Sequence, residues 1–158
     1  PMQDVRNLPA EDAYHEGQEM QVVAFRLGNE EYAVDILYVQ EIIRLLNITR
    51  VPRSGPHIEG VINLRGNIIP IVNLHSKFSL QAAENEEDKR IIVFKLDEVQ
   101  VGIIVDEVSE VLRVKGQDIE PADKVYGAME ADHIKGIAKI DDRLLILLNL
   151  ANIFEAGW

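Results

Sequence analysis

The sequence predicts a mainly β fold made of two tandem copies of one small barrel-like unit, on three observations. The two halves of the 158-residue chain align with each other. Apolar residues come in short runs punctuated by Gly, Asn and Asp turns, and no segment carries the sustained 3.6-residue period of a long helix.

The alignment is specific. Sliding residues 21–44 by 69 positions places Phe25 on Phe94, Leu27 on Leu96, Val39 on Val108, Glu41 on Glu110 and Arg44 on Arg113. Sliding residues 57–78 by 76 places His57 on His133, Gly60 on Gly136, Asn73 on Asn149 and Phe78 on Phe154. An offset that changes once, by seven residues in a loop, is the mark of a duplicated unit with one insertion.

Taken in order, residues 1–20 hold Asp4, Glu11, Asp12, Glu16 and Glu19 against Arg6, with two prolines, and read as a mobile acidic tail. Gln21 to Leu27, the turn Gly28-Asn29-Glu30, and Glu31 to Ile36 predict a hairpin, with Tyr32, Val34 and Ile36 on one face. Asp35 to Arg44 mixes helical spacing with β-branched content, so one helical turn running into a strand is expected. Ile58 to Leu64, Arg65-Gly66-Asn67 and Ile68 to Val72 predict a second hairpin, whose glycine accepts a positive φ. The acidic run Glu84 to Asp88 reads as an exposed linker, which divides the chain into a first barrel at 21–84 and a second at 85–158. About five short strands per copy point to a small barrel.

Charge and composition exclude several classes of function. Asp and Glu number 27 against 16 Lys and Arg, and the formal charge of -11 repels phosphate backbones and acidic headgroups. With no cysteine there is no disulfide, thiolate metal site or cysteine nucleophile, and a reducing compartment is compatible. No apolar run approaches the roughly 20 residues of a membrane span, and no signal-type segment is visible. A cytoplasmic location is expected.

No arrangement in the sequence builds an active site. His57 and His133 share a repeat position before an Ile-x-Gly turn, without metal-ligand spacing, so a turn or packing role is the favoured reading. His15 and His75 complete the four histidines that invite a metal or acid-base hypothesis, and Ser54, Ser76, Ser79 and Ser109 lack a nucleophile elbow. An enzyme working through His133, Asp141 and Asp142 would need an enclosed site. The two copies also differ in informative places. Glu41 and Arg65 could pair in the first, whereas their counterparts Glu110 and Asp141 could only repel. Arg65 reads either as a solvated turn residue or as a recognition guanidinium at a hairpin tip. Pro70 marks an edge strand or bulge, while Leu144 to Leu148, without proline, reads as a core strand. Val125 to Met129, in the longer loop of the second copy, reads as an exposed apolar contact.

These residues together resemble the CheW family of bacterial chemotaxis coupling proteins. The likeness rests on Phe25 to Leu37 running into Val39-Gln40-Glu41-Ile42, on Gly60-Val61-Ile62-Asn63-Leu64-Arg65-Gly66 with Pro70-Ile71-Val72, and on Val101-Gly102-Ile103-Ile104-Val105-Asp106. It spans nearly everything from residue 20 to 154. The resemblance implies two SH3-like five-stranded β-barrels about a pseudo-two-fold axis, with short helices, no catalysis and no cofactor. It also implies an adaptor that binds the cytoplasmic tip of methyl-accepting chemoreceptors and the regulatory domain of the histidine kinase CheA. Such a chain would be monomeric in isolation and recruited to membrane receptor clusters. By motif match the receptor-facing residues would be Val39, Glu41, Gly60, Arg65 and Val108, with Gly136 added as the repeat partner of Gly60. Val125 is the kinase contact expected. The alternative within the resemblance is a CheW-like regulatory domain of a chemotaxis kinase or of a receiver-fused coupling protein.

Overall fold

The computed structural model describes residues 18–122 and 131–155. The first copy supplies β1 (Glu19–Leu27), β2 (Glu30–Asp35), β3 (Val39–Arg44), β4 (Ile58–Leu64), β5 (Asn67–Val72) and the short helix α1 (Leu74–Lys77). The second supplies β6 (Arg90–Leu96), β7 (Val99–Val105), β8 (Glu107–Lys115), β9 (Ile119–Glu120), β10 (Ile134–Ile140), β11 (Arg143–Leu148) and α2 (Leu150–Glu155). The segment of mixed signal resolves as expected: a 3-10 turn at Ile36–Tyr38 leads into β3. Asp35 caps that turn, its Oδ1 accepting the Leu37 N–H at 3.0 Å. Residues 81–88 are exposed, in keeping with a linker. The expected tail is shorter at its inner end, because Glu19 and Met20 already pair with Lys115 and Val114. Residues 1–17, and with them His15, lie outside the described residues.

The strands form two sheets, ordered β8-β1-β2-β11-β10-β9 and β3-β6-β7-β5-β4. The expected division into barrels at 21–84 and 85–158 is therefore corrected. It separates the two sequence copies, but each copy gives its first hairpin to the sheet built on the other. The exchange is reciprocal in register. Ala24 faces Glu110 where Val93 faces Glu41, and Leu147 faces Ala33 where Ile71 faces Gly102.

The reason lies in the hairpin sequences. Val22-Val23-Ala24-Phe25 and Ile91-Ile92-Val93-Phe94 are apolar at every position, so both faces of each hairpin must be covered. Alternate residues divide between cores. Val22, Ala24 and Ala33 pack with Val114, Ala138, Leu145 and Leu147 inside one barrel. Ile91 and Val93 pack with Ile62, Leu64, Ile69 and Ile71 inside the other. Val23, Phe25, Leu27, Ile92, Phe94 and Ile103 face the opposite way, into one large core shared by both sheets.

Two strand readings meet different outcomes. Leu145 to Leu148 are buried as expected, while Leu144, next to the turn, stays exposed. Pro70 corrects its expectation: β5 lies between β4 and β7, and the shift in its pairing falls between Ile58 and Gly60 on β4. The sheet tolerates the proline because the parallel ladder to β7 registers from Ile71 onward.

At the junction of β7 and β8, Asp106 ties the copies together. Its Oδ2 accepts the Gly28 N–H at 2.7 Å and lies 2.9 Å from His75 Nε2, and its Oδ1 accepts the Ala83 N–H at 3.2 Å. Both Asp106 and His75 are buried. Burial alone would push the Asp106 carboxyl up, but the His75 contact and the two amides hold it below the ordinary carboxylate range. A carboxyl depressed in the folded chain stabilises it above the unfolded pKa of about 4, and that contribution is lost as pH falls through the folded value. Asp106→Ala is expected to cost roughly 3 kcal/mol at neutral pH, since it strands buried donors. Urea denaturation of both proteins along a pH series should show the difference shrinking below about pH 4.

Candidate protein-interaction site

The candidate receptor-facing residues fall into three groups. The first is an ion pair: Arg65 Nη2 donates to Glu41 Oε2. Arg65 sits at the β4–β5 turn with a left-handed φ of 54°, followed by Gly66 at 91°. A two-residue hairpin turn with both residues left-handed matches strand twist, and here it lifts the arginine off the sheet. The Arg65 side chain is 67% exposed. Since β3 and β4 are the two edges of their sheet, the pair spans the seam where the barrel closes.

Val39 and Val108 are the second group. Each is half-buried at the rim of the shared core, one on each sheet. A pairing shift sets their direction: Val39 pairs with Phe94, yet Glu41 pairs with the adjacent Val93, so the bulge at Gln40 turns Val39 and Glu41 to opposite faces. The same shift recurs in the second copy, where Phe25 pairs with Val108 and Ala24 with Glu110. Past the bulge, Ile42 opposite Ile92 and Val111 opposite Val23 fall on the shared-core face, and both are exposed. Strict alternation along β3 would have put Ile42 on the face away from Val39. That is why sequence reasoning passed over it, although the conserved offset of 69 between Ile42 and Val111 offered a signal.

Gly60 and Gly136 form the third group, and the structure corrects the idea that they present a surface. Both are buried. A Cβ on Gly60 would lie 2.3 Å from the Thr49 carbonyl oxygen, and one on Gly136 would lie 2.6 Å from Ile119 Cγ2 and 2.7 Å from the Glu120 oxygen. Each glycine admits a neighbouring chain segment: Thr49 bridges to Val61 beside Gly60, and β9 pairs with β10 beside Gly136. Val125, the expected kinase contact, and the stretch through Met129 lie outside the described residues.

The expected repulsion between Glu110 and Asp141 does not arise. Glu110 finds its partner two residues further along, where Arg143 Nη1 donates to its Oε2 at 2.6 Å. The same guanidinium grips Glu31, with Nη2–Oε2 at 2.7 Å and Nε–Oε1 at 3.2 Å. Hydrogen bonding to Glu31, then to Glu110, raises the guanidinium pKa above its ordinary value. Each barrel thus pairs its equivalent glutamate with a turn arginine, one exposed and singly bonded, the other half-buried and shared.

The histidines take structural places. The His57 and His133 carbonyls accept the N–H groups of Asn73 and Asn149 at 2.7 and 2.8 Å. Those asparagines turn their side chains to the amides of Ser76 and Asn152 at the starts of α1 and α2. His133 packs against Phe78 at 5.9 Å, with its Nδ1 buried and without a hydrogen-bond partner among the described residues. Asp141 and Asp142 stand at the far end of β10 from His133, so the three do not converge on one site. Among the described residues, no group of three or more potential ligands could hold a metal ion.

Comparison with known proteins bears on this geometry. A sequence model described as the CheW-like domain matches residues 21–157. The chemotaxis protein CheW of Klebsiella aerogenes is 38% identical over 140 residues, covering 89% of this chain and 83% of its own. That of Helicobacter pylori is 35% identical over 136 residues, covering 86% and 82%. The crystal structure of the scaffolding protein TtCheW from Thermoanaerobacter tengcongensis superposes with a TM-score of 0.76 at 36% identity, over 85% of this chain and 87% of that one. The mainly β architecture is that of two SH3-like barrels.

Two substitutions test these assignments. Gly60→Ala should destabilise the fold by about 2 kcal/mol or more, read as a lowered thermal midpoint, because backbone rather than a flexible side chain blocks the methyl group. Arg65→Gln should change stability by less than about 1 kcal/mol, whereas Arg143→Gln, which strands the poorly exposed Glu31, should cost more. Equal losses would reverse the division between display and support.

Proposed function

The chain belongs to the CheW-like domain family, whose members are chemotaxis scaffolds and not enzymes, and we propose that it joins the cytoplasmic tip of methyl-accepting chemoreceptors to the regulatory domain of the histidine kinase CheA. The observation that carries this reading is the family match across 21–157, on a body whose two barrels share one core and carry Arg65 at one turn and Asp141 at its equivalent. The receptor surface comprises Arg65 with Glu41 and the apolar rim at Val39 and Val108, which Ile42 and Val111 extend. Gly60 and Gly136 serve it indirectly, by fixing the strands beside it. Val125 remains the proposed kinase contact on the strength of the resemblance.

In this role the protein works at the cytoplasmic face of receptor clusters and is monomeric when isolated. It makes two weak interfaces on one rigid body, so each gains effective concentration from the other when receptors cluster. Control of the kinase then passes through geometry alone. A regulatory domain of a kinase or of a receiver-fused protein is the less favoured reading, because the CheW relatives from Klebsiella and Helicobacter are matched over 83% and 82% of their own length.

Arg65→Ala should weaken binding to a receptor-tip hairpin by about five-fold or more while leaving binding to the kinase regulatory domain unchanged, since a recognition guanidinium loses its charge-assisted bonds. Chemical-shift mapping with each partner separately reads both effects. Loss of neither interaction removes Arg65 from the account, and absence of shifts with either partner removes the adaptor.

A further inference from the structure

From Ile42 to Ile58 the chain carries Arg44, Arg50, Arg53 and His57 and no carboxylate, in a protein of net charge -11. Arg65, Arg113 and Arg143 each hold an acidic partner. Arg44, Arg50 and Arg53 are exposed and hold none among the described residues. Arg50, Arg53, Ser54, His57 and Ser76 line a concave polar pocket of about 400 Å³. Glu59, the carboxylate at its wall, is engaged by the Asn73 side-chain amide at 3.1 Å.

The loop that displays these groups is fixed at both ends. Thr49 and Val61 exchange backbone hydrogen bonds at 2.8 Å across the space left by Gly60. At the other end the His57 carbonyl accepts the Asn73 N–H, and its Nδ1 lies 2.9 Å from Ser76 Oγ. Between them Arg53 holds a left-handed φ of 65°, which costs free energy in a residue with a side chain and persists only where the surroundings impose it. The fold does not require the positive charge. The corresponding sequence segment of the second copy, from Pro121 to His133, carries Asp123, Glu130 and Asp132 against Lys124.

We propose that the Arg50–His57 loop is a docking site for an acidic segment of a partner protein, whose carboxylates pair with Arg50 and Arg53. Exposed Leu46 and Val51 beside the arginines suit a polypeptide better than a free anion, and the charge of the whole chain repels nucleic acid. The loop enters β4 at Ile58 and Arg65 follows its other end, about 20 Å away. The two surfaces can therefore be occupied together. This site adds to the coupling role and does not depend on it.

The test is a titration of the 158-residue chain with an oligoglutamate peptide, followed by backbone amide shifts at low and high salt. Saturable shifts centred on residues 50–57, weakened by salt, are expected. The double variant Arg50→Gln, Arg53→Gln should bind about five-fold more weakly or worse, with its remaining amide resonances in place to show an intact fold. Three results would overturn the proposal: no saturable shifts in the loop, equal binding by the double variant, or the same shifts from inorganic phosphate at matched concentration. Binding that emerges only when Asp4, Glu11, Asp12 and Glu16 are changed to their amides would also overturn it, making the chain's own acids the occupant.

Discussion

The β1–β2 and β6–β7 hairpins are apolar on both faces, and burying both is the constraint from which the architecture follows. A hairpin in a single barrel covers one face only, leaving residues such as Phe25 or Phe94 in water. Each buried side chain of that size contributes about 1.5–3 kcal/mol, so exposure of a whole face would exceed the stability of a domain. Reciprocal exchange removes the problem. Each hairpin lines the interior of the other copy's barrel and sends its second face into the common core.

That shared core makes the two barrels one mechanical body, which is what a scaffold needs. Its surfaces then keep a fixed relation without any moving part. The polar joint at Asp106 follows the same logic, because the β1–β2 turn, α1, the linker and the start of β8 converge there and their donors need an acceptor. The duplicated glycines belong to this frame as well. Gly60 and Gly136 let a further segment cross β4 and β10, and in the first copy that segment carries the basic loop.

Much of the fold was legible from residues alone. The offsets of 69 and 76 match the strand equivalences, and the turns at Gly28 and Arg65-Gly66 fall where turn chemistry put them. The 3-10 turn before β3 was readable from its mixed signal. The site was legible in part: Arg65 and Glu41 could be proposed as a pair from charge and repeat position. The contact between Arg143 and Glu110 escaped, because it moves two residues off the repeat register. Ile42 escaped because a bulge reverses the face that alternation assigns.

The sequence by itself determined the duplication, the strands and turns, and the family to which the chain belongs, because these are written in local patterns of polarity, turn residues and short motifs. Tertiary structure alone decided which copy's hairpin enters which sheet, since an all-apolar strand has no preferred face and its partners are set by what remains to be covered. It also decided which motif positions are surface and which are support. Gly60 and Arg65 stand five residues apart in one motif, yet one is buried under a carbonyl at 2.3 Å from where a Cβ would be, and the other is exposed at a turn, paired with Glu41. No local pattern carries that difference, because it depends on a segment that returns from elsewhere in the chain.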